Sequence, residues 1–130
     1  MRSDEIVMQS YGRCCASASF FDDFYQRFLD SSEEVREKFV NTNMPAQKQL
    51  LRQGILNLVL YSRGLPPTKL KALAESHSRG KLDVQPHLYE LWLESLLLTI
   101  EQHDSSFDTS IKHAWAEVLR KGIDVIKSGY

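Results

Sequence analysis

Residues 111–126 read IKHAWAEVLRKGIDVI. Ile111, Ala114, Trp115, Val118, Leu119, Gly122, Val125 and Ile126 recur at steps of three and four, the spacing that stacks side chains on one face of an α-helix. Polar residues fill most of the other positions, so the stretch predicts an amphipathic helix with one side in a core. The same step repeats upstream. Pro86 opens a long segment with Leu88, Leu91, Trp92, Ser95, Leu96 and Thr99 on one side. Between Pro66-Pro67 and Gly80 lies the stripe Leu70, Leu73, Ala74, His77, with Gly80 as the expected stop. Pro45 suits a first helical turn, and Leu51, Ile55, Leu58 and Val59 follow, with Gly54 on that face allowing a neighbouring helix to come close. Ser32 before Glu33 and Glu34 starts a short helix ending near Phe39. Phe20, Phe21, Phe24, Tyr25 and Phe28 form an aromatic stripe, and Ser3 is a candidate cap for a helix over residues 4–15. No window alternates with period two for long enough to make a strand. The expectation is an all-α chain of six to seven helices, one domain over residues 1–130.

The 130 residues carry 16 basic and 17 acidic side chains, a formal charge of −1. That balance supplies no attraction to nucleic acid or to an anionic membrane, and neither is expected as a partner. With 42% hydrophobic and 25% charged residues the chain reads as globular rather than disordered. It is long enough to bury a core without disulfides or structural zinc. No basic region followed by an apolar run marks a signal peptide, and apolar runs such as Leu96-Leu97-Leu98 are far short of a membrane helix. The two cysteines, Cys14 and Cys15, are adjacent and fit a reducing cytoplasm. A vicinal pair also suits redox or thiol–metal chemistry, although cysteine is more often a small buried apolar residue.

His77 carries the chemistry. It lies three, four and seven residues beyond Ala74, Leu73 and Leu70, so it shares their apolar stripe. A ring aimed into such surroundings needs its nitrogens satisfied. One reading is a core histidine bonded to a carbonyl. The other is an iron ligand, since imidazole is a common axial ligand of haem. A haem also needs an apolar slot and a few polar groups on its far side. Phe39 is placed to stack on a flat cofactor, and the Tyr25 phenol and Gln47 amide are candidates to reach a bound diatomic molecule. His87, His103 and His113 fall at helix ends or on polar sides, and the four histidines are not spaced for zinc. Trp92 and Trp115 read as core.

In order and spacing these residues resemble the bacterial globins of the flavohaemoglobin and single-domain (Vitreoscilla-type) haemoglobin kind, over about residues 8–127. Phe24-Tyr25-Gln26-Arg27-Phe28 is similar to the segment carrying that family's distal tyrosine. Phe39 follows Tyr25 at the family's interval to the phenylalanine packed on haem. Gln47-Lys48-Gln49-Leu50-Leu51 resembles its distal glutamine motif, and Leu73-Ala74-Glu75-Ser76-His77 the segment ending in the proximal histidine. Val84-Gln85-Pro86-His87-Leu88-Tyr89 resembles the start of its next helix, and His113-Ala114-Trp115 fits its last.

The resemblance implies a globin fold around haem b (iron protoporphyrin IX). The iron would be held by His77, the cofactor lined by Phe39, Leu51, Leu73, Val84 and Tyr89, and the ligand met by Tyr25 and Gln47. It implies reversible binding of O2, NO or CO, with oxygen transport as one use. Two other functions belong to the same resemblance: a gas-sensor domain of a longer signalling protein, and an NO dioxygenase served by a separate reductase. A homodimer is left open. Four departures from the family pattern are informative. The Phe39–Gln47 interval is two residues short, so the distal glutamine is Gln47 or Gln49; Gln47 keeps Leu51 and Ile55 inward, whereas Gln49 would turn Gln53 inward. The His77–Tyr89 interval is about two residues long, which makes Ser78–Asp83 a distinctive loop and puts Arg79 or Lys81 near a haem propionate. The glutamate that supports the proximal histidine in flavohaemoglobins would fall on Tyr130, so it is expected to be missing. The flavin- and nicotinamide-binding reductase domain is expected to be missing too.

Overall fold

Seven α-helices and no strand make up the regular structure of residues 1–130 in the computed structural model. They are α1 (Ser3–Cys15), α2 (Phe20–Ser31), α3 (Glu33–Lys38), α4 (Met44–Ser62), α5 (Thr68–Ser76), α6 (His87–His103) and α7 (Thr109–Ser128). The expectation of an all-α chain is met.

Short polar side chains set several starts. Ser32 Oγ accepts from the Val35 N–H at 3.1 Å, Asn43 Oδ1 from Ala46 at 3.1 Å and Asp108 Oδ1 from Ile111 at 2.9 Å. Each satisfies a first-turn donor that has no partner within its helix. Pro45 sits in the first turn of α4. Two expected boundaries move. Ser3 lies inside α1, where Arg2 takes the cap position, and the Ser3 hydroxyl donates instead to Glu117 at 2.6 Å. Helix α5 ends at Ser76, well before Gly80, and His77 is its C-cap. The stop is made by a turn that folds back on the helix end: Leu82 N–H donates to the Ser76 carbonyl at 3.1 Å and Val84 N–H to the His77 carbonyl at 2.9 Å. These bonds satisfy carbonyls that would otherwise need further helix.

Helix α7 packs against α1, α4 and α5, and α2 lies along α6. Trp115, Val118 and Leu119 are fully buried, as the stripe predicts. Ile123 is buried as well, while Val125 reaches only half-burial. On α6, Leu93 and Ile100 join the core while Leu91 and Trp92 stay at its margin. The close helix approach lies at Gly122 rather than at the expected Gly54. A Cβ on Gly122 would stand 2.2 Å from Leu58 Cδ2 and 3.1 Å from Leu70 Cδ1, whereas nothing lies within 4 Å of one on Gly54.

A buried polar chain ties α1, α6 and α7 together. Trp115 Nε1 donates to Ser10 Oγ at 2.9 Å, and Ser10 Oγ donates to Asp104 Oδ2 at 2.5 Å. Arg13 closes the chain with two bonds to the Asp104 carboxylate at 2.5 and 3.0 Å. Burial pushes the Asp104 pKa up, but the bonds from Arg13, Ser10 and the Ser106 N–H outweigh it and hold the carboxyl below the usual aspartate range. Cys14 points into the core and Cys15 to solvent, and neither is bonded. Burial pushes the Cys14 thiol up to about 12, which makes it a poor nucleophile. No helix is long and apolar enough to cross a membrane.

Candidate functional site

The helix stripes deliver two groups of side chains. The first is built on α2, the end of α3 and the start of α4. Tyr25 is buried, and its hydroxyl donates to the Gln47 main-chain carbonyl at 3.3 Å. Phe39 stands edge-on to the Tyr25 and Phe28 rings, with centroids 5.9 Å away in both cases. Burial pushes the Tyr25 phenol up to about 12, so it stays protonated and a donor at neutral pH. Gln47 is half-buried, Gln49 exposed, and Leu51 and Ile55 continue the Gln47 side of α4 into the core. Gln53 is exposed. It is the carbonyl of Gln47, rather than its amide, that meets Tyr25.

The second group surrounds the end of α5. His77 is half-buried, and its Nδ1 lies 2.9 Å from the Tyr89 hydroxyl. Tyr89 reaches it from the first turn of α6, the two rings tilted by 30°. Nε2 has no hydrogen-bond partner in the protein. Burial lowers the His77 pKa, which favours the neutral ring, and pushes the Tyr89 phenol up to about 12. A neutral imidazole that donates from Nδ1 to Tyr89 presents its Nε2 lone pair to whatever lies on the other side. Val84 meets His77 through the backbone bond already described, and Leu73 stands one turn back on α5.

Two contacts join these groups. Lys38 Nζ, next to Phe39, donates to the Leu82 carbonyl at 3.0 Å, and Glu34 pairs with His87 at 3.2 Å. They hold α3 against the turn and the start of α6 that follow His77. Phe39, Leu73, Val84 and Tyr89 all pack on the core yet remain only half-buried. Val40 is 72% exposed and Leu82 59%. Apolar surface left uncovered beside an unpartnered imidazole nitrogen is what a flat apolar cofactor with a metal at its centre would use. The donor set therefore fits haem.

The other candidates are engaged elsewhere. The Arg79 guanidinium lies over the Tyr130 ring, 4.8 Å from its centroid, and Lys81 faces Glu75 at 3.8 Å. His103 bonds Asp23 at 2.7 Å and His113 is exposed. No group of three or more His, Cys, Asp or Glu side chains is arranged to hold a metal ion. An open polar groove of about 660 Å³ runs between α2 and α6, lined by Asp23, Arg27, Asp30 and Glu94 among others, but Tyr25, Gln47 and His77 take no part in it. Sequence reasoning did not find the partner of Tyr130, whose hydroxyl donates to Asp83 Oδ1 at 2.5 Å. Only the unusual length of the loop before Tyr89 hinted at it.

A profile of the globin family matches residues 22–126. The chain is also similar to a protein of Pseudomonas aeruginosa PAO1 whose crystal structure is described as structurally highly homologous to a human hemoglobin. The two share 55% identity over 99% of this chain and 98% of that one, with a TM-score of 0.98. No curated protein matches the sequence.

Proposed function

This chain belongs to the globin family, and from that premise we propose that residues 1–130 are one globin domain that holds haem b and reversibly binds a diatomic gas. The observation that carries the reading is His77. Its Nδ1 is tied to Tyr89, burial keeps the ring neutral, and Nε2 is left free. Haem iron, when bound, supplies an open coordination position for O2, NO or CO.

The protein's own residues do the rest. In the tautomer that carries its proton on Nδ1, His77 would donate a hydrogen bond to the Tyr89 hydroxyl, which would fix the ring, direct the Nε2 lone pair outward and raise its basicity. Phe39, Leu73, Val84 and Tyr89, with Leu51, are the apolar residues that would hold the cofactor and keep water from it. Tyr25 is the buried donor of the α2 side. Its present acceptor is a long 3.3 Å contact, which can be exchanged for a polar guest at little cost. Gln47 supplies a second polar group from α4. A hydrogen bond to a guest carrying partial negative charge slows its escape more than one to a neutral guest.

Absorption spectra of the purified protein, oxidised, reduced, and reduced under CO, test the proposal. The expected result is a haem spectrum that changes on reduction and again with CO. Protein that takes up no haem at equimolar supply would overturn it.

A further inference from the structure

We infer that Tyr130 is a positioning residue for His77, acting through the turn that follows α5; the inference rests on the haem-binding role given to His77 above. Asp83 in that turn has φ of +51°, a left-handed conformation that is uncommon outside glycine, asparagine and aspartate. Contacts on three sides hold it there. Its N–H donates to the Ser78 carbonyl at 2.9 Å, and its carboxylate accepts from the Tyr130 hydroxyl at 2.5 Å. Its neighbour Val84 returns an N–H to the His77 carbonyl at 2.9 Å.

Tyr130 is itself fixed. Its ring carries the Arg79 guanidinium, its carbonyl accepts from the Arg79 N–H at 3.3 Å, and its own N–H donates to the Lys127 carbonyl at 3.1 Å. One residue earlier, a Cβ on Gly129 would stand 2.8 Å from the Ala74 Cβ, so the end of α7 rests directly on α5. The contacts close a ring from α7 through Tyr130, Asp83 and Val84 to His77, and back along α5 to Ala74. The turn also sets the offset between α5 and α6, and therefore the 2.9 Å reach from His77 Nδ1 to Tyr89. A hydroxyl at the protein surface thus sets the register of the imidazole without touching it.

Tyr130→Phe removes the hydroxyl and keeps the ring under Arg79. In protein without haem, exchange of the Val84 amide should quicken about tenfold, equivalent to about 1.4 kcal/mol. The Leu119 amide, in the middle of α7, should change less than about twofold. Asp83→Ala, which loses the acceptor and places alanine at positive φ, should quicken exchange at least as much, and adding Tyr130→Phe to it should bring no further effect; Asp83→Asn, which keeps an acceptor and tolerates positive φ, should retain most of the protection. In haem-loaded ferrous protein, the iron–histidine stretching frequency should shift in Tyr130→Phe and return in Asp83→Asn. An unchanged Val84 exchange rate in Tyr130→Phe, or additive effects in the double variant, would overturn the inference. A wild-type protein that takes up no haem would instead overturn the functional reading, with the exchange data still deciding whether the turn is held by Tyr130.

Discussion

His77 shows how much of the site a single side chain decides. Its place beyond Leu70, Leu73 and Ala74 was readable from spacing alone. Its partner was not, because the nearest hydroxyl, Tyr89, comes from the next helix across a turn whose path no local pattern encodes. The α4 register was readable: Gln47 is half-buried and Gln49 exposed because Leu51 and Ile55 must face inward. That the Gln47 carbonyl rather than its amide holds Tyr25 could not be read, since a main-chain acceptor leaves no mark in sequence. Tyr25→Phe keeps the ring on Phe39 and loses the donor, so oxygen release should accelerate about tenfold in stopped-flow measurements, the equivalent of about 1.4 kcal/mol. Gln47→Leu should accelerate it less, and Gln49→Leu hardly at all. An effect of Gln49→Leu alone would mean that α4 is displaced by two residues from the register described.

Among the elements, the crossing of α4, α5 and α7 is the tightest contact. The sequence placed glycines on both α4 and α7, but periodicity cannot tell which one faces a neighbour. That depends on the crossing point, which tertiary packing selects. Gly122 meets Leu58 and Leu70, and Gly54 meets nothing within 4 Å. Gly122→Ala should therefore overpack the crossing and lower stability by about 1–3 kcal/mol in urea unfolding, despite the better helix propensity of alanine. Gly54→Ala, with open space around it, should be neutral or stabilising by up to about 1 kcal/mol. The helix caps follow the same division. Ser32 was legible from the two glutamates behind it, while Asn43 lacks such a signature; Asn43→Ala should cost about 1 kcal/mol in the same assay.

Across the whole molecule, the Asp104 carboxylate joins α1, the end of α6 and, through Ser10, Trp115 of α7. Nothing in the local sequence marks Asp104 for this role, because a partner 91 positions away at Arg13 is beyond local reading. Its pKa is depressed in the folded state, so its contribution is present above the unfolded aspartate value of about 3.9 and is lost as pH falls through the lower folded value. Wild-type stability should therefore fall on acidification below about pH 4, and Asp104→Asn should be less stable at neutral pH with a shallower loss in that range, as thermal melts across pH will show. This scaffold carries α5 and α6, and with them His77 and Tyr89, so the central claim is tested where it acts. The measurement is haem titration of wild type and His77→Ala, followed by absorption with and without added imidazole. The account predicts stoichiometric uptake by wild type, loss of the wild-type haem band in His77→Ala, and its recovery when imidazole is supplied. Full uptake by His77→Ala with an unchanged band and no response to imidazole would contradict it.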